Sequence, residues 1–254
     1  MKFIFNKKIS IYLKRNFMKK VVLLFVLFFV AFVVFSQKNK TIVFQQGFED
    51  VEYFTKLSPA GYTSSQNPEN GYWGVFKEDK AVCLSDDQAA VGSYSLKVTR
   101  MAASQTNAVC MFSPALALSG VSTFEVWVYR PSKSEFSMYF SGLDKKHESN
   151  KRVYVSMLNT GEKGKFFIRL NVETQALRTH VPMPADIWVL MSVEFNRNTN
   201  TITYSYESDG KKTIIGELDF NETSIEIDRF MFGAALCPAD SPTYFDDIKV
   251  LHSN

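Results

Sequence analysis

An all-β chain of two packed antiparallel sheets is predicted by three observations. After residue 40 the sequence is a succession of short runs rich in aromatic and β-branched residues, many alternating apolar with polar. Turn-forming residues separate these runs, and no stretch keeps the 3.6-residue apolar spacing of an amphipathic helix. Strands are expected over residues 41–48, 81–84, 93–99, 108–112, 123–129, 135–141, 152–157, 165–171, 176–180, 188–195, 201–207, 212–218, 229–235 and 244–251. So many short strands suit two stacked antiparallel sheets, a β-sandwich. Turn signals such as Ser208, Asp209 and Gly210, or the segment 160–164, fall between runs, where hairpin connections need them.

The N-terminus has a different chemistry. Residues 1–36 hold seven Lys or Arg and no acid, and Lys19 and Lys20 precede a 15-residue apolar run, 21–35, that ends at Ser36. A basic segment, an apolar core and a small residue before the cut are the three parts of a secretory signal peptide, with cleavage expected after Ser36 and Met18 as the expected start. The run falls short of the roughly 20 residues that span a bilayer, so no membrane span is expected in the mature form. The domains are therefore residues 1–36, extension plus signal, and residues 37–254, one β-sandwich.

Charge follows from that division. The whole chain carries 29 Lys and Arg against 26 Asp and Glu, a formal +3; without the first 36 residues 22 bases face 26 acids, a formal −4. A nucleic-acid partner loses its electrostatic basis. Cys83, Cys110 and Cys237 allow at most one internal disulfide, with three possible pairings or none. Neither they nor the three histidines, His147, His180 and His252, have zinc-ligand spacing.

Two acids interrupt the last strand. Strict alternation places Tyr244, Asp246, Ile248 and Val250 on one face and Phe245, Asp247, Lys249 and Leu251 on the other, so Asp246 shares the more apolar face. A carboxylate there must be hydrogen-bonded, paired or bound to a cation.

The middle strands suggest a binding surface. Phe124, Val126, Val128, Phe136, Met138, Phe140, Val153, Val155, Met157, Phe166, Ile168 and Leu170 form one apolar set. The alternate positions bring Trp127, Tyr129, Tyr139, Arg152, Tyr154, Arg169 and Asn171 to the other face if the four strands are neighbours. Aromatic rings stack on the C–H face of a sugar while Arg, Asn and Tyr meet its hydroxyls, so this mixture suits a glycan or polysaccharide. Cross-strand aromatic pairs that only cover a sheet face give the same pattern. Segment 61–74, expected to be a long loop, adds Tyr72 and Trp73 as further candidates.

Landmarks recur in order along residues 41–251: Gly47, Phe48, Glu49 and Asp50; the segment 92–98; Phe112 to Leu116 leading into Phe124 to Tyr129; Trp188 to Phe195; and Tyr244 to Ile248. In that order they resemble the concanavalin A-like and carbohydrate-binding jelly-roll families, laminin-G and MAM-type modules included. The resemblance implies a jelly-roll sandwich and a lectin-like, non-catalytic carbohydrate-binding role. It also implies a structural Ca²⁺ held through Glu49 and Asp246, with Asp50 and Asp247 beside them. A protein-binding adhesion or assembly module is a second role found on this fold, and a lyase acting on uronate polymers a third. Arg152, Tyr154, Arg169 and His180 are of the right types for a lyase, but no lyase motif is present as written. The segment 226–231 places Met231 where glucanases of this fold carry a second carboxylate, which removes retaining hydrolysis.

Overall fold

The computed structural model describes residues 40–55, 65–67, 71–76, 82–99, 107–112, 119–132, 134, 136–143, 150–158, 165–170, 175–219, 229–234 and 241–253. The N-terminal segment 1–36, Asn171 and Cys237 lie outside them. In chain order the elements are β1 (Thr41–Gln46), a short helix α1 (Val51–Thr55), β2 (Ser65–Asn67), β3 (Gly71–Phe76), β4 (Val82–Ser85), β5 (Ser95–Val98), β6 (Asn107–Phe112), β7 (Val121–Tyr129) and β8 (Phe136–Leu143). There follow β9 (Asn150–Leu158), β10 (Lys165–Leu170), β11 (Gln175–Pro182), β12 (Trp188–Asn196), β13 (Thr201–Ser208), β14 (Lys211–Asp219), β15 (Arg229–Ala234) and β16 (Thr243–Ser253).

Each run expected to be a strand contains one; residues 47, 48, 93, 94 and 99 fall outside the strands, and residues 81, 135, 171 and 235 lie outside the described residues. Two further strands, β2 and β3, occupy the segment expected to be a loop, so Tyr72 and Trp73 sit on a strand. The Tyr-Trp-Gly-Val-Phe run of β3 has strand composition, and the turn formers before it hid that.

The strands form two antiparallel sheets. The first runs β14-β13-β12-β7-β16-β5-β4, with β1 also paired to β16, and the second runs β11-β10-β9-β8-β15-β6-β3-β2. Strict alternation along β12 buries Val189, Met191, Val193 and Phe195, while Phe124, Val126 and Val128 of β7 are fully buried beside them. Met138 of the second sheet belongs to the same buried cluster, and Val181 of β11 packs against it. Its cross-strand register is apolar from Val75 through Val109, Phe232, Met138, Val155 and Ile168 to Leu177. One face of each sheet is thereby assigned to the core.

Two expectations are corrected by this topology. Strand β7 does not neighbour β8: it lies between β12 and β16 in the first sheet, while β8 lies between β15 and β9 in the second. The chain changes sheet across residues 130–134. Arg130 anchors that corner, donating from Nη1 to the Pro131, Ser132 and Ser134 carbonyls and from Nη2 to the Met183 carbonyl. Trp127 and Tyr129 are thus separated from Tyr139 and Tyr154.

The second correction concerns β16. Tyr244, Phe245 and Asp246 face Tyr129, Val128 and Trp127, but the next pair is Lys249 with Glu125, so β16 spends one residue more than β7. The extra residue is a β-bulge, and Asp247 within it has φ of 42°. The bulge exchanges the faces: Phe245, Ile248 and Val250 are in the core, while Tyr244 and Asp246 point the other way. Asp246 is therefore not on the face of Ile248 and Val250.

Candidate functional site

Three places hold the residues the sequence singles out. The first is the acid cluster around the bulge. Asp246 is 0% exposed, on the side of its sheet turned from the core. Its Oδ2 accepts the Ala90 and Val91 N–H groups at 2.8 and 3.0 Å, and its Oδ1 accepts the Asp247 N–H at 2.7 Å. Burial pushes its carboxyl above the ordinary value, and the N–H groups of Val91, Ala90 and Asp247 pull it back. Glu49 Oε1 accepts the Ser93 and Tyr94 N–H groups, both at 3.0 Å. Both acids thus grip one segment, the β4–β5 connection. Gly92 lies within it at φ of 72°, where a Cβ would overlap Glu49 Oε1. Asp247 Oδ1 accepts the Gln45 amide at 2.7 Å and its Oδ2 the Lys249 ammonium at 2.5 Å. The Asp50 carbonyl accepts the Phe54 N–H, closing α1.

A calcium ion needs six to eight oxygens turned toward it. In this cluster the oxygens of Asp246 and Asp247 already accept N–H groups and an ammonium, so a cation shared with Glu49 would have to use their remaining lone pairs. The donor set as it stands fits hydrogen-bonded carboxylates better than a calcium cage.

The second place is the outer face of the first sheet, which carries Trp127 and Tyr129. Tyr129 meets Trp188 at 5.6 Å between ring centroids and Tyr244 at 5.9 Å, tilted in one pair and edge-on in the other. Beyond Tyr244 stands Lys97, its Nζ 5.8 Å from the ring centre and 2.5 Å from Asp87 Oδ2. Tyr244 is 6% exposed and its hydroxyl donates to Asp87 at 3.4 Å. Rings that pack edge to face cover one another and present no shared flat surface. Tyr129 is a half-buried member of this cover, and Trp127 is half-buried on the same face, opposite Asp246 and Leu190.

The third place is the face of the second sheet opposite Met138. Direct cross-strand partners share a face, and β8, β9 and β10 put Tyr139 opposite Tyr154 and Tyr154 opposite Arg169. One step along, Arg152 is opposite Ser141, Ser141 opposite Arg229, Arg229 opposite Phe112 and Phe112 opposite Tyr72. Five candidates therefore share one face by register: Tyr72, Tyr139, Arg152, Tyr154 and Arg169. Trp73 falls in the alternate row with Met111, Phe230, Phe140 and Val153, on the core side. The sequence reading missed Arg229 and Arg178, which the register adds to this face, because strand order has to be known before strands far apart in sequence can be aligned.

No protein-family model matches the chain, and no curated protein does. The likeness to known proteins is one of fold. The carbohydrate esterase of a Shiga toxin-encoding bacteriophage, phi24B, superposes with a TM-score of 0.53 at 12% identity, over 85% of this chain and 100% of that one. An uncharacterised protein of Mycobacterium paratuberculosis gives 0.52 at 13% identity, over 82% and 99%. The cellulose-induced protein Cip1 gives 0.50 at 15% identity, over 82% and 96%. At these identities the comparison shows a β-sandwich fold and nothing finer.

Proposed function

We propose that the protein is an exported, non-catalytic carbohydrate-binding domain, a closed jelly-roll sandwich of concanavalin A-like type that takes glycan on the outer face of its second sheet. The single observation that carries this reading is the register of Tyr139, Tyr154 and Arg169 on three adjacent strands. With strands about 4.8 Å apart, this row spans roughly 10 Å, the length of about two sugar rings. Rings able to stack and a planar donor fork at that spacing match alternating C–H faces and hydroxyls. Fold likeness to a carbohydrate esterase is compatible with the reading and adds no residue to it.

The test is a glycan-array scan of the full-length protein, followed by titration of Tyr154→Ala. Binding to one polysaccharide class that falls about tenfold in the variant, with an unchanged melt, supports the face; unchanged affinity removes it. Export is tested by N-terminal sequencing of the secreted protein, which should begin at Gln37.

A second reading, a protein-binding adhesion or assembly module, draws on the half-exposed aromatics Trp127, Tyr129 and Trp188 of the first sheet. It gains if a sugar-free pull-down returns a stoichiometric partner that Trp188→Ala releases. Lyase activity, the third reading, needs Arg152, Tyr154, Arg169 and His180 to act together, and absorbance of an unsaturated uronate product decides it.

A further inference from the structure

We infer that the glycan taken by the second sheet is polyanionic, carrying carboxylate or sulfate groups along its chain. The inference rests on the proposed glycan-binding role and adds the chemistry of the ligand.

The register supplies the argument. Arg229 on β15, Arg152 on β9, Arg169 on β10 and Arg178 on β11 all fall on the face opposite Met138. Arg178 pairs with Phe167, Phe167 with Ser156 and Ser156 with Ser137, two residues from Tyr139. Arg229 and Arg152 each pair with Ser141. Lys165 pairs with Leu158 on the same face.

No Asp or Glu stands at a position of this face in the paired stretches of β3, β6, β15, β8, β9, β10 and β11. Glu125 is on β7 of the other sheet, opposite Lys249 and Ser192. Four guanidinium-bearing positions and a lysine are thus collected within one face of a domain whose formal charge after residue 36 is −4. Such a concentration of one sign against the overall charge draws a ligand of the opposite sign. Arginine adds geometry, because its fork meets the two oxygens of a carboxylate or sulfate side by side. The tyrosines in the same row favour a ring-bearing chain over an acidic peptide.

The experiment measures binding of the full-length protein to polygalacturonate, its fully methyl-esterified form, dextran sulfate, polyglutamate and a single-stranded oligonucleotide. The expected result is binding to polygalacturonate or dextran sulfate at least tenfold tighter than to the ester, weakening with added salt; the better of the two polymers identifies carboxylate or sulfate as the group read. Arg152→Gln and Arg169→Gln should each lower that affinity about tenfold and flatten the salt dependence, with Arg169→Lys recovering part of it and the melts unchanged. Equal or tighter binding of the ester overturns the inference while leaving the glycan face standing. Equal or tighter binding of polyglutamate or the oligonucleotide overturns it in favour of another class of polyanion. Binding of none of the five removes the anionic ligand, and a blank glycan array beside it removes the glycan role as well.

Discussion

Asp246 shows how a single residue organises this fold. Among the described residues its two oxygens accept three N–H groups and meet no other donor type. An asparagine there must turn its own NH₂ toward at least one N–H, whichever way it is flipped, so Asp246→Asn should cost about 1–3 kcal/mol. Because calcium loss predicts the same sign, the decisive companion is wild type in excess chelator. An unchanged melting temperature there assigns the cost to the lost N–H acceptors, whereas a fall of several degrees restores the calcium expectation. Gly92→Ala should also destabilise, by about 1–3 kcal/mol, since the position combines φ of 72° with no room beside Glu49.

The titration of Asp246 has an unusual sign. Burial holds its folded value above the ordinary 3.8, so as pH falls through the raised value the folded state takes the proton first and gains stability at this group. Asp87 acts oppositely. Its hydrogen bond with Lys97 lowers its value, so its contribution is present above 3.8 and lost as pH falls through the lowered one. Tyr204 governs the alkaline side: it is fully buried, its hydroxyl finds no hydrogen-bond partner among the described residues, and burial raises it well above the ordinary 10.0. Above pH 10 the unfolded chain releases that proton and the folded one keeps it, which favours unfolding. Tyr204→Phe should therefore melt no lower than wild type at neutral pH and lose stability less steeply above pH 10. A lower neutral melting temperature would show that the hydroxyl is satisfied after all.

At the scale of elements, the sequence was most legible where alternation is strict. Strand β12 needed nothing beyond its own pattern, since Val189, Met191, Val193 and Phe195 are all buried. Strand β16 misled for a local reason: the bulge adds a residue, and an Asp at positive φ does not signal one as a glycine does. Shortening β16 by Asp247 should remove the bulge and leave Ile248 opposite Val126 and Val250 opposite Phe124, still in the core, so the cooperative melt should persist at a lower temperature; loss of the cooperative melt would contradict this register. The change of sheet after β7 was hidden for another reason. Arg130, Pro131 and Ser132 are residues a hairpin also uses, and only the Arg130 hydrogen bonds to Ser134 and Met183 distinguish a corner from a turn.

For the whole molecule, the sequence foretold an all-β chain and most of its strands, while strand order carried the rest. That order divides six of the seven candidates once assigned to one surface, Asn171 lying outside the described residues: Trp127 and Tyr129 go to the first sheet, and Tyr139, Arg152, Tyr154 and Arg169 stay together. It also gathers Arg178 and Arg229 from distant segments onto the same face. The two outer faces thus have different chemistries, one an edge-packed aromatic cover and the other a row of tyrosines and arginines. The measurement that tests this division most directly is a parallel glycan titration of wild type, Tyr154→Ala and Trp127→Ala. The account predicts about a tenfold loss for Tyr154→Ala and wild-type affinity for Trp127→Ala. Loss in Trp127→Ala with full affinity in Tyr154→Ala would contradict it and move the site to the first sheet.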